Sequence, residues 1–226
     1  MREIVLDTET TGLDPLAGHR VVEVGCIELM NTVATGQSFH AYFNPEMLMP
    51  AGAQDVHGLT DEFLADKPLF AERLEELLAF VGDAQLVIHN AQFDIGFLNA
   101  ELERAGRPKL TNAYVDTVSV ARRKFPGQRV SLDALCERFS IDNSARTKHG
   151  ALLDAELLAE VYLELSGGRQ RDLGLAPEIA GGGAAVMIIP RDRPVRPARP
   201  HLPTAAELAA HAAFLKQITS PLWLAA

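Results

Sequence analysis

The spacing of apolar positions changes twice along this chain, and the changes mark out its elements. Ile4-Val5-Leu6 is a short apolar run that ends on Asp7 and reads as a strand. Arg20 to Leu29, "RVVEVGCIEL", sets Val22, Val24 and Cys26 against Glu23 and Gly25, which predicts a second strand. Gln37 to Pro45, "QSFHAYFNP", alternates again, and Thr32 to Gly36 between the two reads as a hairpin turn. Three successive strands predict an opening meander. From Thr60 the period becomes helical. In "LFAERLEELLAFV", Leu69, Leu74, Leu77, Leu78 and Val81 share one stripe. Ala84 to Asn90, "AQLVIHN", is a brief apolar run, read as a strand buried on both faces. Phe93 to Gly106 is a helix with Gly106 just past its end, and "AYVDTVSVARRKF" holds a short strand and then a helix. Ser131 to Ile141 is a helix with Ser131 as N-cap, and "HGALLDAELLAEVYLELSGG" is a longer one closed by Gly167-Gly168.

The pattern breaks near residue 168. Residues 169–203 carry repeated Gly-rich and Pro-rich interruptions without a sustained period, so they read as a linker. Thr204 to Ile218 then reads as a short amphipathic helix, with Thr204 as N-cap and Glu207 at the capping-box position. The expected organisation is one α/β domain over residues 1–168, the linker, and a small docking element over residues 204–226. No internal repeat is visible.

Composition narrows the class. At 226 residues, 47% hydrophobic and 23% charged, the chain has a globular profile. No apolar run approaches the roughly 20 residues of a membrane span. The N-terminus lacks the basic-then-apolar layout of a secretory signal, so the expected location is cytoplasmic. Cys26 and Cys136 give neither a disulfide framework nor a metal-ligand spacing. A net charge of −9 argues against a protein that grips nucleic acid unaided, because phosphate contacts dominate such affinity. It leaves room for an enzyme that holds a strand end through bound cations.

Several carboxylates stand where carboxylates are costly. Asp7 and Glu9 share a face if the first strand continues, since the side-chain period is two. A strand end fraying into a solvated turn gives the same pattern. Asp94 lies in line with Phe97, Leu98 and Leu102, on the apolar face of its helix and at its start; helix capping is the alternative. Asp154 repeats the arrangement with Leu157, Leu158, Val161 and Leu165. Four carboxylates at the edges of one core suggest a divalent-cation site built from oxygen ligands, favouring magnesium or manganese over zinc. His149, five residues before Asp154, is either a surface residue or a general base beside that site.

With "DTETTGLDP", "HNAQFDIGFL" and "HGALLDAELLAEVY" in this order and spacing, the chain resembles the DnaQ-like 3′–5′ exonucleases. The His five before the last Asp is that of their DEDDh branch. The resemblance also takes in "VHGLTDEFL" and "FPGQRVSLDALCERFSIDNSARTKHGALLDA", and within the branch it is greatest to the proofreading subunits of bacterial replicative polymerases. It implies a ribonuclease-H-like fold, α/β, with a mixed five-stranded sheet flanked by helices. It implies two divalent cations, Mg²⁺ or Mn²⁺, held by Asp7, Glu9, Asp94 and Asp154, with His149 taking a proton from the attacking water. Thr10, Thr11, Gly12 and Leu13 would line the terminal nucleotide through backbone and wedge contacts, with His57 and Phe93 flanking its sugar and base. Relatives can carry an acidic residue where this chain has Gly52. Asp116 also matches a family Asp, with structural support as its expected part.

For the tail, the resemblance implies docking on the polymerase alpha subunit through Leu208, Ala212, Leu215 and Trp223; a helix folded back on its own domain is the alternative. Gln170 to Leu175, "QRDLGL", resembles peptides that dock on the sliding clamp, with Gln170, Leu173 and Leu175 as contacts, although so short a pattern also arises by chance. A further small accessory subunit is a possible partner, and no membrane is expected. The competing functions are an RNA-trimming exonuclease of the same family and a non-catalytic scaffold. A scaffold is the weaker reading, because all five acidic and histidine positions are present.

Overall fold

The computed structural model describes residues 1–144, 146, 148–168 and 202–218. The chain divides into two units, Met1–Pro177 and Glu178–Ala226. The first is built on a five-stranded sheet of order β3-β2-β1-β4-β5. Its strands are β1 (Arg2–Thr10), β2 (Val21–Met30), β3 (Val33–Tyr42), β4 (Gln85–Ile88) and β5 (Tyr114–Asp116). The first three form the expected antiparallel meander, and β4 and β5 add in parallel to β1. The sheet is therefore mixed.

The hairpin is tighter than the sequence pattern suggests. Asn31 and Thr32 alone make the turn, both with positive φ (54° and 68°), so β3 begins at Val33 rather than at Gln37. A two-residue turn of this kind matches the twist of the strands it joins. The start of β3 escaped notice because Val33 to Ser38 are all exposed, and a strand with no buried face shows no alternation.

Helices cover both faces. Ile4 and Leu6 of β1 project to one side with Val24, Cys26, Leu86 and Ile88, against α3 (Phe70–Val81) and α4 (Ala91–Arg104). Val5, Ile27 and Val87 project to the other, against α6 (Leu132–Phe139) and α7 (Ala151–Leu165). Burial on both sides is why "AQLVIHN" is apolar throughout. Between β5 and α6 lies α5 (Thr117–Lys124), started by the Asp116 carboxylate, which accepts from the Val118 N–H. Ser131 caps α6 as expected, accepting from the Ala134 N–H.

Two short helices, α1 (Ala51–His57) and α2 (Asp61–Ala65), were not visible in the pattern. α1 buries only His57 and α2 only Leu64, so neither has a stripe to detect. In the second unit, α8 (Ala205–Leu215) carries the predicted capping box between Thr204 and Glu207. It is less amphipathic than expected: Leu208, Ala212 and Phe214 are exposed, Leu215 is buried, and Glu207 and His211 are its only polar residues. Trp223, nearly all of the 169–203 linker and the peptide Gln170, Leu173 and Leu175 lie outside the described residues.

Candidate active site

β1 runs unbroken to Thr10, so the parity of its side chains persists past the apolar run. Asp7 and Glu9 therefore continue the Val5 face, towards α7. The cross-strand neighbour of Asp7 is Gly25. An added Cβ there would lie 2.3 Å from the Ala151 carbonyl carbon and the Leu152 nitrogen. The absent side chain lets the first turn of α7 rest on β2 directly, and that turn carries Asp154, whose N–H donates to the Gly150 carbonyl.

Asp94 arrives from the other helical layer. Asn90 precedes α4 in the left-handed region (φ 73°), and its N–H donates to the Asp116 carboxylate at 3.1 Å. Asp94 then falls in the first turn, only 2% exposed, and accepts from the Thr8 hydroxyl at 2.8 Å. The Asp116 carboxyl, drawn below its ordinary range by bonds from Ser119, Asn90 and Val118 that outweigh its burial, does the structural work expected of it.

Glu9, His149 and Asp154 each offer a ligand atom within 4.8 Å of the other two. His149 is the exposed member of that trio, at the rim, and its backbone N–H donates to the Val56 carbonyl at the end of α1. Asp7 and Asp94 belong to the same cluster electrostatically. Burial pushes the Glu9 carboxyl up to about 8, with Asp154, Glu23 and Asp94 adding to it. Burial also pushes Asp94 up to about 7 against the pull of the Thr8 hydroxyl. Asp7 is raised well above its ordinary value by burial, then by Asp94, Glu9 and Asp154. Carboxylates that prefer protons at neutral pH lack positive charge. A set of four carboxylates with one imidazole fits hard divalent cations such as Mg²⁺ or Mn²⁺, so the residues present suit the expected group.

One residue in the cluster was not anticipated. Arg146, in the segment between α6 and α7, sets a two-pronged pair on Asp154, Nε to Oδ1 and Nη2 to Oδ2, both 2.6 Å. Its position shares no period with His149 or Asp154 and the segment is irregular, so no pattern signals it.

The predicted substrate contacts divide. Leu13 is 86% exposed, and Phe93, half-buried, packs its ring 4.9 Å from that of Phe97. His57 is buried; Nδ1 accepts from the Leu59 N–H, and Nε2 has no well-formed partner. Burial lowers its pKa, so the ring is neutral, with its hydrogen on Nε2. Thr10 is buried and Thr11 fully so, and the Thr11 N–H donates to the Arg20 carbonyl. The Thr10 hydroxyl donates to the Gly12 carbonyl, and the fully buried Thr11 hydroxyl accepts from the Arg20 N–H. Gly12 is occupied on one side by His19, and Gly52 is open to solvent on α1. A concavity of about 1000 Å³ lies at the far end of the sheet, between the β2–β3 turn and the C-terminal end of α7. It includes none of these residues.

Comparison with known proteins identifies the family. The exonuclease family model (RNase T type) matches residues 4–162. The DNA polymerase III subunit epsilon of Rickettsia felis is 57% identical over 175 residues, 75% of this chain and 76% of that one. The protein of the same name from Escherichia coli K12 is 52% identical over 177 residues, 74% and 72% of the two chains. Among solved structures, the nuclease domain of 3′hExo, a DEDDh family member bound to rAMP, superposes with a TM-score of 0.64 at 18% identity over 73% of this chain and 90% of that one. Exonuclease X in complex with 5′ overhanging duplex DNA gives 0.57 at 23% identity, again over 73% and 90%. These two likenesses concern the fold. The match over the whole catalytic unit, together with identities above one half, makes this chain a member of the exonuclease family, in the branch of the DNA polymerase III epsilon subunits.

Proposed function

We propose that this chain removes mispaired nucleotides from DNA 3′ ends as 5′-monophosphates, as the proofreading subunit of a bacterial replicative polymerase. The observation that carries the reading is the meeting of Asp7, Glu9, Asp94 and Asp154 with His149 at the rim, in a member of the exonuclease family. Asp7, Glu9 and Asp154 would hold one divalent cation, and Asp7 with Asp94 a second. Bound there, such ions activate water and offset charge on both oxygens of an in-line phosphoryl displacement. The residues of the chain do the rest. β1 is paired with β2 along its whole length and with β4 at Glu3 to Val5, and this ladder fixes the backbone that carries Asp7 and Glu9. His149, at the solvent rim, accepts the proton of the attacking water and passes it outward. Leu13 and Phe93 wedge and flank the terminal base, and His57 Nε2–H donates to its sugar. Nothing in that set reads base identity, so preference for errors would come from how readily a terminus melts.

The net charge of −9 fits an enzyme to which the primer end is delivered. In this reading α8, with Leu208, Ala212 and Leu215, docks on the polymerase alpha subunit together with Trp223, and residues 170–175 bind the sliding clamp. The double variant Gln170→Ala, Leu173→Ala is expected to lose clamp affinity in a surface-binding measurement while its nuclease rate is unchanged. Clamp binding equal to wild type removes that peptide from the scheme.

The test of the function is trimming of three substrates in Mg²⁺: a 3′-mispaired DNA primer, the paired primer, and an RNA oligomer. The mispaired DNA end should be shortened fastest. A strong preference for RNA would transfer the chain to RNA trimming, and equal rates on paired and mispaired ends would contradict proofreading by melting.

A further inference from the structure

Every nitrogen of the Arg146 guanidinium has a partner although the residue belongs to an irregular segment. Its side chain is 7% exposed. Besides the two-pronged pair on Asp154, Nη1 donates to Asp133 Oδ1 at 2.6 Å and Nη2 donates to His149 Nδ1 at 2.8 Å. A guanidinium has no acceptor and keeps its charge at any working pH, so His149 Nδ1 must be the acceptor here. One cation thus occupies both oxygens of a proposed metal ligand and the lone pair of the proposed base. Asp133, the third partner, sits on α6 with its side chain 56% exposed, outside the cluster.

From this geometry we propose that Arg146 is a built-in counter-cation that takes the place of a divalent ion on Asp154, and that metal binding displaces it towards Asp133. The inference rests on the reading of the four carboxylates as cation ligands. Asp154 cannot give both oxygens to a guanidinium and also ligate a metal at full strength, so the two compete for it. The backbone need not move for the exchange. The Lys148 ammonium is held by the Gln54 and Asp55 carbonyls and the His149 N–H by Val56, so Lys148 and His149 stay fixed on α1 while the long, flexible Arg146 side chain swings. Because the same Nη2 holds His149, metal entry also returns the base its lone pair. Loading the site and arming the base become one event, and the metal-free enzyme is kept from exposing a bare carboxylate cluster.

The measurement is Mn²⁺ affinity without substrate, from the electron paramagnetic resonance signal of free Mn²⁺, on wild type, Arg146→Gln, Asp133→Ala and the double variant. If the paired state holds about nine molecules in ten, Arg146→Gln binds Mn²⁺ about tenfold more tightly, because the competent fraction rises accordingly. Its metal-free melting temperature falls. Asp133→Ala removes the resting place and weakens Mn²⁺ binding severalfold. A long-range field would give the same two signs but would act independently. In the double variant the Asp133 effect therefore vanishes if it passes through Arg146. Mn²⁺ affinity that is unchanged or weaker in Arg146→Gln, or an Asp133 effect that persists in the double variant, overturns the proposal. Should Arg146→Gln not fold, Arg146→Lys keeps the charge without the fork and must shift affinity in the same direction by less. Wild type that binds no Mn²⁺ at all would instead overturn the cation-site reading beneath it.

Discussion

Asp7→Asn is expected to cut 3′–5′ trimming by about a thousandfold or more while raising the melting temperature of the metal-free protein. The first effect follows from its central place: Asp7 is the carboxylate assigned to both cations, and losing preorganised charge at a phosphoryl-transfer site costs on this scale. The second follows from the repulsion it feels. Glu9 and Asp94 sit at about 8 and about 7, against ordinary values of 4.5 and 3.8, and Asp7 is raised as well. Between those limits the folded chain binds more protons than the unfolded one, so metal-free stability falls as pH rises from about 4 to about 8. Removing one charge of the cluster flattens that slope. Thermal melts in a chelator at stepped pH, for wild type and variant, read the effect directly. A wild-type melting temperature that climbs across the window, or a variant less stable at pH 8, would mean that the cluster is not strained by like charge. Added Mg²⁺ or Mn²⁺ should restore wild type most where the carboxylates have lost their protons.

Much of this was legible because like charges in line with core stripes are rare. Asp94 and Asp154 stood out from Phe97, Leu98, Leu157 and Leu158 by helical spacing alone, and both prove nearly inaccessible. Asp7 and Glu9 were ambiguous until β1 was seen to stay paired to Thr10; a fraying strand end would have turned them to solvent. What escaped were features without periodicity. α1 has no apolar stripe, yet it supplies the carbonyls that fix Lys148 and His149. The Thr8 hydroxyl that supports Asp94 alternates away from Asp7, and nothing in the spacing marks it. Arg146 is tied to its partners by tertiary approach only. The local turn that the Thr10 and Thr11 hydroxyls close, through their bonds to Gly12 and Arg20, escaped for a related reason, since spacing does not reveal it.

Gly25→Ala tests whether the close approach of α7 to β2 builds the site. The added methyl would stand 2.3 Å from main-chain atoms of Ala151 and Leu152 and 2.4 Å from the Ala151 oxygen, and backbone cannot rotate aside as a side chain can. The first turn of α7 must lift from the sheet or β2 must bend, at a cost of about 3 kcal/mol in a well-packed interior. Because Asp154 is on that turn and Asp7 is the cross-strand partner of Gly25, the displacement lands between two of the four carboxylates. A shift of about 1 Å at such a distance costs about a hundredfold in rate. Gly96→Ala is the control, since Gly96 lies within α4 with nothing inside 4 Å of the added methyl, and alanine there should stabilise by up to about 1 kcal/mol. Denaturant melts and single-turnover trimming well below the melting temperature separate the two effects. Gly25→Ala that melts with wild type would show that the helix and strand can part without strain. A loss of stability with full activity would place the contact outside the catalytic geometry.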